Sequence, residues 1–218
     1  MSDKLHLARI VDAHAHFNLL KPDAQLNNAL ANSVANDLPS ISISPLQGQY
    51  LSVQCKLISA KSVLEVGTLG GYSTIWFAKA GAKVTSIEIN PKHRDVGIEN
   101  TKGLDVDIIL GDALDIMPKL AAEGRKFDLV FLDASWDEQW QCFEWAVKLT
   151  RPKGCIYVDN VIRELFAHEN IGEGETLLTR VGRDERVDAA LVPTVSGHKG
   201  KSEEMFDGFL LAVVKDSK

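Results

Sequence analysis

Two short runs, FLDAS and YVDNV, place Asp133 in one and Asp159 with Asn160 in the other, each directly behind a stretch of apolar residues. Such stretches read as buried strands, so these polar groups fall at strand ends, where loops carry chemistry. Two carboxylates and a carboxamide form a hard, all-oxygen donor set. It suits Mg²⁺, or another hard divalent ion, with water or substrate oxygens completing an octahedron. The plainer alternative is helix capping, because Asp and Asn at a strand end also commonly start the next helix. Asp133, Asp159 and Asn160 are therefore candidate metal ligands and candidate catalytic residues.

A second set of residues suits a nucleotide-like cofactor. In VLEVGTLGGYST, residues 63–74, Val63, Leu64 and Val66 read as a central strand, Gly67, Gly70 and Gly71 as a sharp turn, and Ser73 and Thr74 as the opening of a helix. The G-x-x-G-G spacing is not the dinucleotide fingerprint G-x-G-x-x-G. Glu65, in the strand end, would repel a pyrophosphate yet would accept hydrogen bonds from a cationic amino-acid group. Glu88 closes KVTSIEIN about 20 residues beyond Gly67, where a carboxylate takes both ribose hydroxyls of NAD or of S-adenosylmethionine. In GDAL, residues 111–114, Asp112 and Ala113 fall where an adenine edge is read. Each acid taken singly has the capping alternative; acids at successive strand ends make coincidence a weaker account.

The run IVDAHAHF carries His14 and His16 as an H-x-H pair, which on a strand would share a face and suit zinc. Enzymes built that way are eight-stranded barrels with further ligands behind later strands, for which 218 residues in this order leave no room. Surface or packing histidines are the expectation.

These residues need a scaffold that aligns strand ends, and from residue 61 the chain alternates strand and helix patterns with short links. Strands are expected at 62–66, 83–89, 106–110, 127–132, 155–158, 189–195 and 209–214, with helices at 72–80, 91–102, 113–123 and 137–150. No crossover helix separates the last two strands, so they should pair as an antiparallel hairpin. The fold class is α/β: a seven-stranded, mostly parallel, Rossmann-like sheet with helices on both faces, the layout of the class I methyltransferase fold. Residues 1–60 read as a helical N-terminal extension or lid on a cofactor-binding domain at 61–218, the whole being one structural domain. Leu26, Leu30 and Val34 mark one buried helix face there, and Leu46, Tyr50, Val53 and Leu57 another.

Composition adds exclusions. A net charge of -6 without clustered Lys and Arg argues against nucleic acid, and no segment reaches the ~18 apolar residues of a membrane span. With no cleavable-signal pattern, the expected location is cytoplasmic. Cys55, Cys142 and Cys155 have no C-x-x-C spacing and read as reduced core residues.

Taken together, ISPLQGQYL, VLEVGTLGGYSTIWFA, IEIN, GDALD, FDLVFLDA, LTRPKGCIYVDNVIR and FDGFLLAVV resemble, in order and spacing, the cation-dependent O-methyltransferases of the catechol and caffeoyl-CoA type and their bacterial and fungal relatives, over about residues 40–215. The resemblance implies S-adenosylmethionine as cofactor, with Glu65 and Gly67 at the methionine moiety, Ser73 at its carboxylate, Glu88 at the ribose, and Asp112 and Ala113 at the adenine. Ile43 would lie in the covering segment, and Thr68, Gly111 and Asp133 complete the cofactor set. It implies Mg²⁺ on Asp133, Asp159 and Asn160, a small aromatic substrate with adjacent hydroxyls, and a homodimer.

The family pattern continues Asp-Ala-Asp-Lys after the first metal aspartate, whereas this chain reads Asp133, Ala134, Ser135, Trp136, so the usual lysine base is absent. Asp137 is a candidate substitute, and His168, His198 and Lys199 are others from neighbouring loops. Trp136 would wall an aromatic pocket, while Trp140 and Trp145 fall at packing positions. Two rivals stand beside this reading: a nicotinamide-dependent oxidoreductase, and a non-catalytic S-adenosylmethionine-binding protein that the missing lysine keeps in view.

Overall fold

The computed structural model describes residues 2–167, 174–198 and 205–216. The chain opens with three helices, α1 (Ser2–Leu19), α2 (Ala24–Ala35) and α3 (Pro45–Leu57). It then alternates β1 (Ser62–Val66), α4 (Tyr72–Lys79), β2 (Lys83–Glu88), α5 (Pro91–Asn100), β3 (Val106–Leu110), α6 (Ala113–Ala122) and β4 (Phe127–Leu132). A 3-10 turn (Trp136–Glu138) leads into α7 (Gln139–Leu149) and β5 (Thr150–Val158). Two short helices, α8 (Val161–Ala167) and α9 (Leu177–Gly182), precede β6 (Val187–Val195) and β7 (Phe206–Val214).

Local chemistry sets the helix starts. Asp23, Ser44, Asn90 and Asp112 accept backbone N–H groups of the first turns of α2, α3, α5 and α6, and Pro45 and Pro91 fix φ at two of those starts. The strands form one sheet in the order β3-β2-β1-β4-β5-β7-β6. β1 to β5 run parallel, and β7 runs antiparallel to β5 and β6. The expected hairpin is present and longer than expected, pairing from Val187 with Val214 to Val195 with Phe206.

Alternation along each strand divides the core into two layers. Leu64, Val66, Val130 and Leu132 pack with Met117 and Leu120 of α6 and Phe143 of α7. Val63, Leu129 and Phe131 pack on the other face with Leu51 and Cys55 of α3 and Ile75 and Phe77 of α4. Tyr157 stacks on Phe209 with ring centroids 4.2 Å apart, joining β5 to β7. The strand order reverses between β1 and β4, so their carboxyl ends diverge into a crevice.

The N-terminal helices correct several expectations. Residues 2–19 are helical, so His14 and His16, two positions apart, do not share a face as they would on a strand. In α2 the buried residues are Leu26, Ala29 and Ser33, while Val34 is 72% exposed. In α3 they are Gly48, Leu51, Ser52 and Cys55, with Val53 and Leu57 outside. α8 and α9 occupy a stretch for which no helix was expected. The three cysteines are buried, their thiols pushed up to about 12 by burial, as core residues should be. Among the described residues no helix is long and apolar enough to cross a membrane.

Candidate active site

A cavity of about 420 Å³ occupies the crevice at the carboxyl ends of the parallel strands. Gly67 and Thr68 line it beyond β1, and Ser73 lines it at the start of α4. Glu88 enters from the end of β2, and Gly111, Asp112 and Ala113 from the end of β3. Asp133 enters after β4 and Asn160 after β5, while Ile43 closes one side from the segment before α3. Three of the residues singled out in the sequence, Glu65, Asp159 and Asp137, do not line this cavity.

Glu65 is fully buried behind the glycine turn. Its carboxyl accepts hydroxyl donors from Ser73 at 2.5 Å, Ser86 at 2.6 Å and Thr74, and burial pushes its pKa up to about 7. The carboxyl expected to accept hydrogen bonds from a cationic group is here occupied by protein hydroxyls, with Ser73 between it and the cavity. Glu88 also has a structural task that sequence reading missed. One oxygen accepts the backbone N–H groups of Thr68 (3.1 Å) and Leu69 (2.8 Å), and the other that of Asn90 (2.9 Å), so β2 staples the glycine turn in place. Asp112 caps α6 through Leu114 N–H at 2.7 Å and lines the cavity as well, so the capping alternative and the binding position coincide in one residue.

Two glycines of the turn are required by protein neighbours. Gly67 has φ 96°, and a Cβ there would collide with the carbonyl oxygen of Asp133. Gly70 admits Ser33 of α2 just as closely, so the N-terminal extension sits directly on the turn.

The second corner gathers carboxylates. Asp159 lines a smaller cavity of about 50 Å³ that shares Ile41, Ile43, Asn160 and Arg163 with the larger one. Its Oδ1 accepts the Gln47 amide at 2.8 Å, and its carbonyl oxygen accepts the Gln139 amide at 3.3 Å. Burial, then the negative charges of Asp133 and Asp207, hold the Asp159 carboxyl well above the usual carboxylate range. Asn160 turns the chain from β5 into α8 in the left-handed region, φ 58°, which Asn tolerates better than most residues. Its Nδ2 donates to Asp207 Oδ2 at 2.8 Å. Gln47, Arg163 and Asp207 were all missed in the sequence, since nothing in their local spacing marks them. Among the described residues no group of three or more His, Cys, Asp or Glu side chains is placed to hold a metal ion; the set here is two carboxylates and an amide.

Asp137 is exposed in the 3-10 turn, whereas Trp136 and Glu138 of the same turn line the large cavity. His198 lines the small cavity and a third, of about 240 Å³, with Arg9, Asp12 and His16 of α1. His168 and Lys199 lie outside the described residues. Trp140 stacks on Phe143, and Lys148 sits over Trp145, as packing positions require.

A doubly wound sheet closed by a C-terminal antiparallel hairpin, with a glycine turn and strand-end acids around its crevice, defines a class I methyltransferase. The family model described as O-methyltransferase matches residues 20–198. Catechol O-methyltransferase of Mycobacterium tuberculosis is 38% identical over 94% of this chain and 95% of its own length. O-methyltransferase imqG of Aspergillus flavus is 37% identical over 88% and 83%. Among solved structures, the O-methyltransferase of Bacillus cereus in complex with SAH superposes with a TM-score of 0.86 at 32% identity, covering 97% of this chain and 100% of that one. This chain belongs to the O-methyltransferase family, enzymes that pass a methyl group from S-adenosylmethionine to a hydroxyl oxygen. The nicotinamide-dependent alternative gives way to that membership.

Proposed function

We propose that the enzyme methylates one hydroxyl of a small aromatic bearing two adjacent hydroxyls, with S-adenosylmethionine in the large cavity and a divalent cation such as Mg²⁺ at the carboxylate corner. The observation that carries the reading is the buried Asp159, next to Asn160 and within reach of the negative charges of Asp133 and Asp207, a repulsion that a cation would relieve. Two relatives named catechol O-methyltransferase, from M. tuberculosis and Niastella koreensis, support the substrate class.

Asp133, Asp159 and Asn160 would hold the cation. A divalent ion there supplies Lewis acidity and a positive charge for the hydroxyl that must lose its proton. The remaining work falls to the protein. Glu88 offers its further lone pairs to the ribose hydroxyls, and Asp112 and Ala113 border the adenine. The N-terminus of α4, whose N-cap Gly71 makes no side-chain cap, presents its dipole and Ser73 to the carboxylate end of the donor. Trp136 walls the acceptor ring, and Ile41 and Ile43 exclude water from above. Of the two acids in the 3-10 turn only Glu138 lines the cavity, and it replaces Asp137 as the proton acceptor in this reading.

Helices α1 to α3 serve as the lid. The net charge of -6 speaks against nucleic acid as the acceptor, and a cytoplasmic setting belongs to the same reading. The homodimer belongs to the same reading, with Leu7, Ile10, Val11 and Phe17 of α1 left exposed, and light scattering should return twice the chain mass.

The deciding experiment is transfer of labelled methyl from S-adenosylmethionine to catechols, hydroxycinnamates and flavonoids, with Mg²⁺ and with EDTA. Product that needs the metal is the expected result. Product that survives EDTA removes the cation from the mechanism. Donor binding without product on any acceptor favours the non-catalytic reading.

A further inference from the structure

The amide of Asn160 serves as a cation ligand only if its oxygen, not its NH₂ group, points into the corner with Asp133 and Asp159. An Asn side chain has no intrinsic preference between those two orientations, so something must impose one. Asp207, near the start of β7, is the group in contact. Its Oδ2 accepts Asn160 Nδ2 at 2.8 Å and pairs with Arg163 Nη2 at 2.9 Å. Its Oδ1 accepts the backbone N–H groups of Gly208 at 2.8 Å and Arg163 at 3.3 Å. Four donors, one of them a guanidinium, fix this carboxyl group in place, so that it meets the Asn160 amide as an acceptor.

We propose that Asp207 is a positioning residue that fixes the sense of the Asn160 amide, holding its nitrogen outward so that its oxygen is turned toward the cation. The proposal rests on the cation reading above. It also gives the antiparallel β7 a task at the site: its carboxylate reaches the loop after the neighbouring strand β5. Without Asp207 the flipped amide would present N–H dipoles to a cation, and orienting partners of this kind typically contribute 10–100-fold in metal affinity.

The test reads Mn²⁺ binding by water-proton relaxation on the full chain, with S-adenosylhomocysteine affinity and thermal midpoint as folding controls. Asp207→Ala should weaken Mn²⁺ roughly 10–100-fold while donor-product affinity holds; the isosteric Asp207→Asn is read instead if the alanine variant does not fold. Asp207→Asn, whose amide can donate as well as accept and so leaves the sense of Asn160 open, should weaken Mn²⁺ more than Asp207→Glu, which keeps an acceptor beside Asn160. Equal Mn²⁺ affinity in wild type and all Asp207 variants overturns the proposal. Wild type that binds no Mn²⁺ defeats the cation reading itself, a different result.

Discussion

Glu65 shows how far a side chain's task depends on what is packed over it. An ionised carboxyl that is fully buried loses hydration that three hydroxyl donors only partly replace, which is why its pKa rises to about 7. The folded state therefore keeps a proton that the unfolded chain releases near pH 4.5. Stability from this group is fully present below about 4.5, is lost as the pH rises toward 7, and is level above that, a total of roughly 3 kcal/mol. Urea unfolding at stepped pH should show that fall in wild type and a smaller one in Glu65→Gln; parallel curves would refute it. Gly67→Ala should cost about 1–3 kcal/mol and depress donor binding, since the new methyl group meets the Asp133 carbonyl at a positive φ. Calorimetric titration with S-adenosylhomocysteine reads the second effect. The glycine turn and the strand-end acids were legible as positions, because turns and strand ends are set by local pattern; which acid also caps a helix or ties a loop was not. The partners Gln47, Arg163 and Asp207 were not, because their value lies in a neighbour distant in sequence.

Between elements, small residues matter more than apolar ones. α2 lies over the glycine turn through Ala29 and Ser33, with Ser33 against Gly70, and a bulky residue on that face would lift the helix away. A hydrophobic stripe read from the sequence selects Val34 instead, one position too far, because it weighs oiliness and not clearance. Asn100 of α5 completes the joint: its Nδ2 donates to Gly70 O at 2.8 Å, and its Oδ1 accepts Asn32 Nδ2 at 2.8 Å. Asn100→Ala should cost about 1–3 kcal/mol by stranding buried polar groups, and should weaken donor binding through the turn. Unchanged donor affinity in a folded variant would show that the turn holds its shape without this tie.

Across the whole molecule, the extension and the hairpin close on each other. Asp12 of α1 accepts Ser196 Oγ at 3.1 Å and Gly197 N–H at 2.9 Å, so the first helix and the end of β6 frame the 240 Å³ cavity beside the carboxylate corner. Asp12→Ala is expected to raise the acceptor KM and leave the donor KM unchanged, because Asp12 lines the 240 Å³ cavity and not the 420 Å³ one proposed for the donor; equal shifts in both would argue against it. By itself the sequence determined the alternation of strands and helices, the antiparallel hairpin and the row of polar strand ends, since these follow from local periodicity and from turn chemistry within a few residues. Only the tertiary structure decided which acids line the cavity, which stand behind it, and which distant side chains hold them. Those outcomes depend on burial and on contacts between residues as far apart as Gln47 and Asp159, and no local pattern in the chain encodes them.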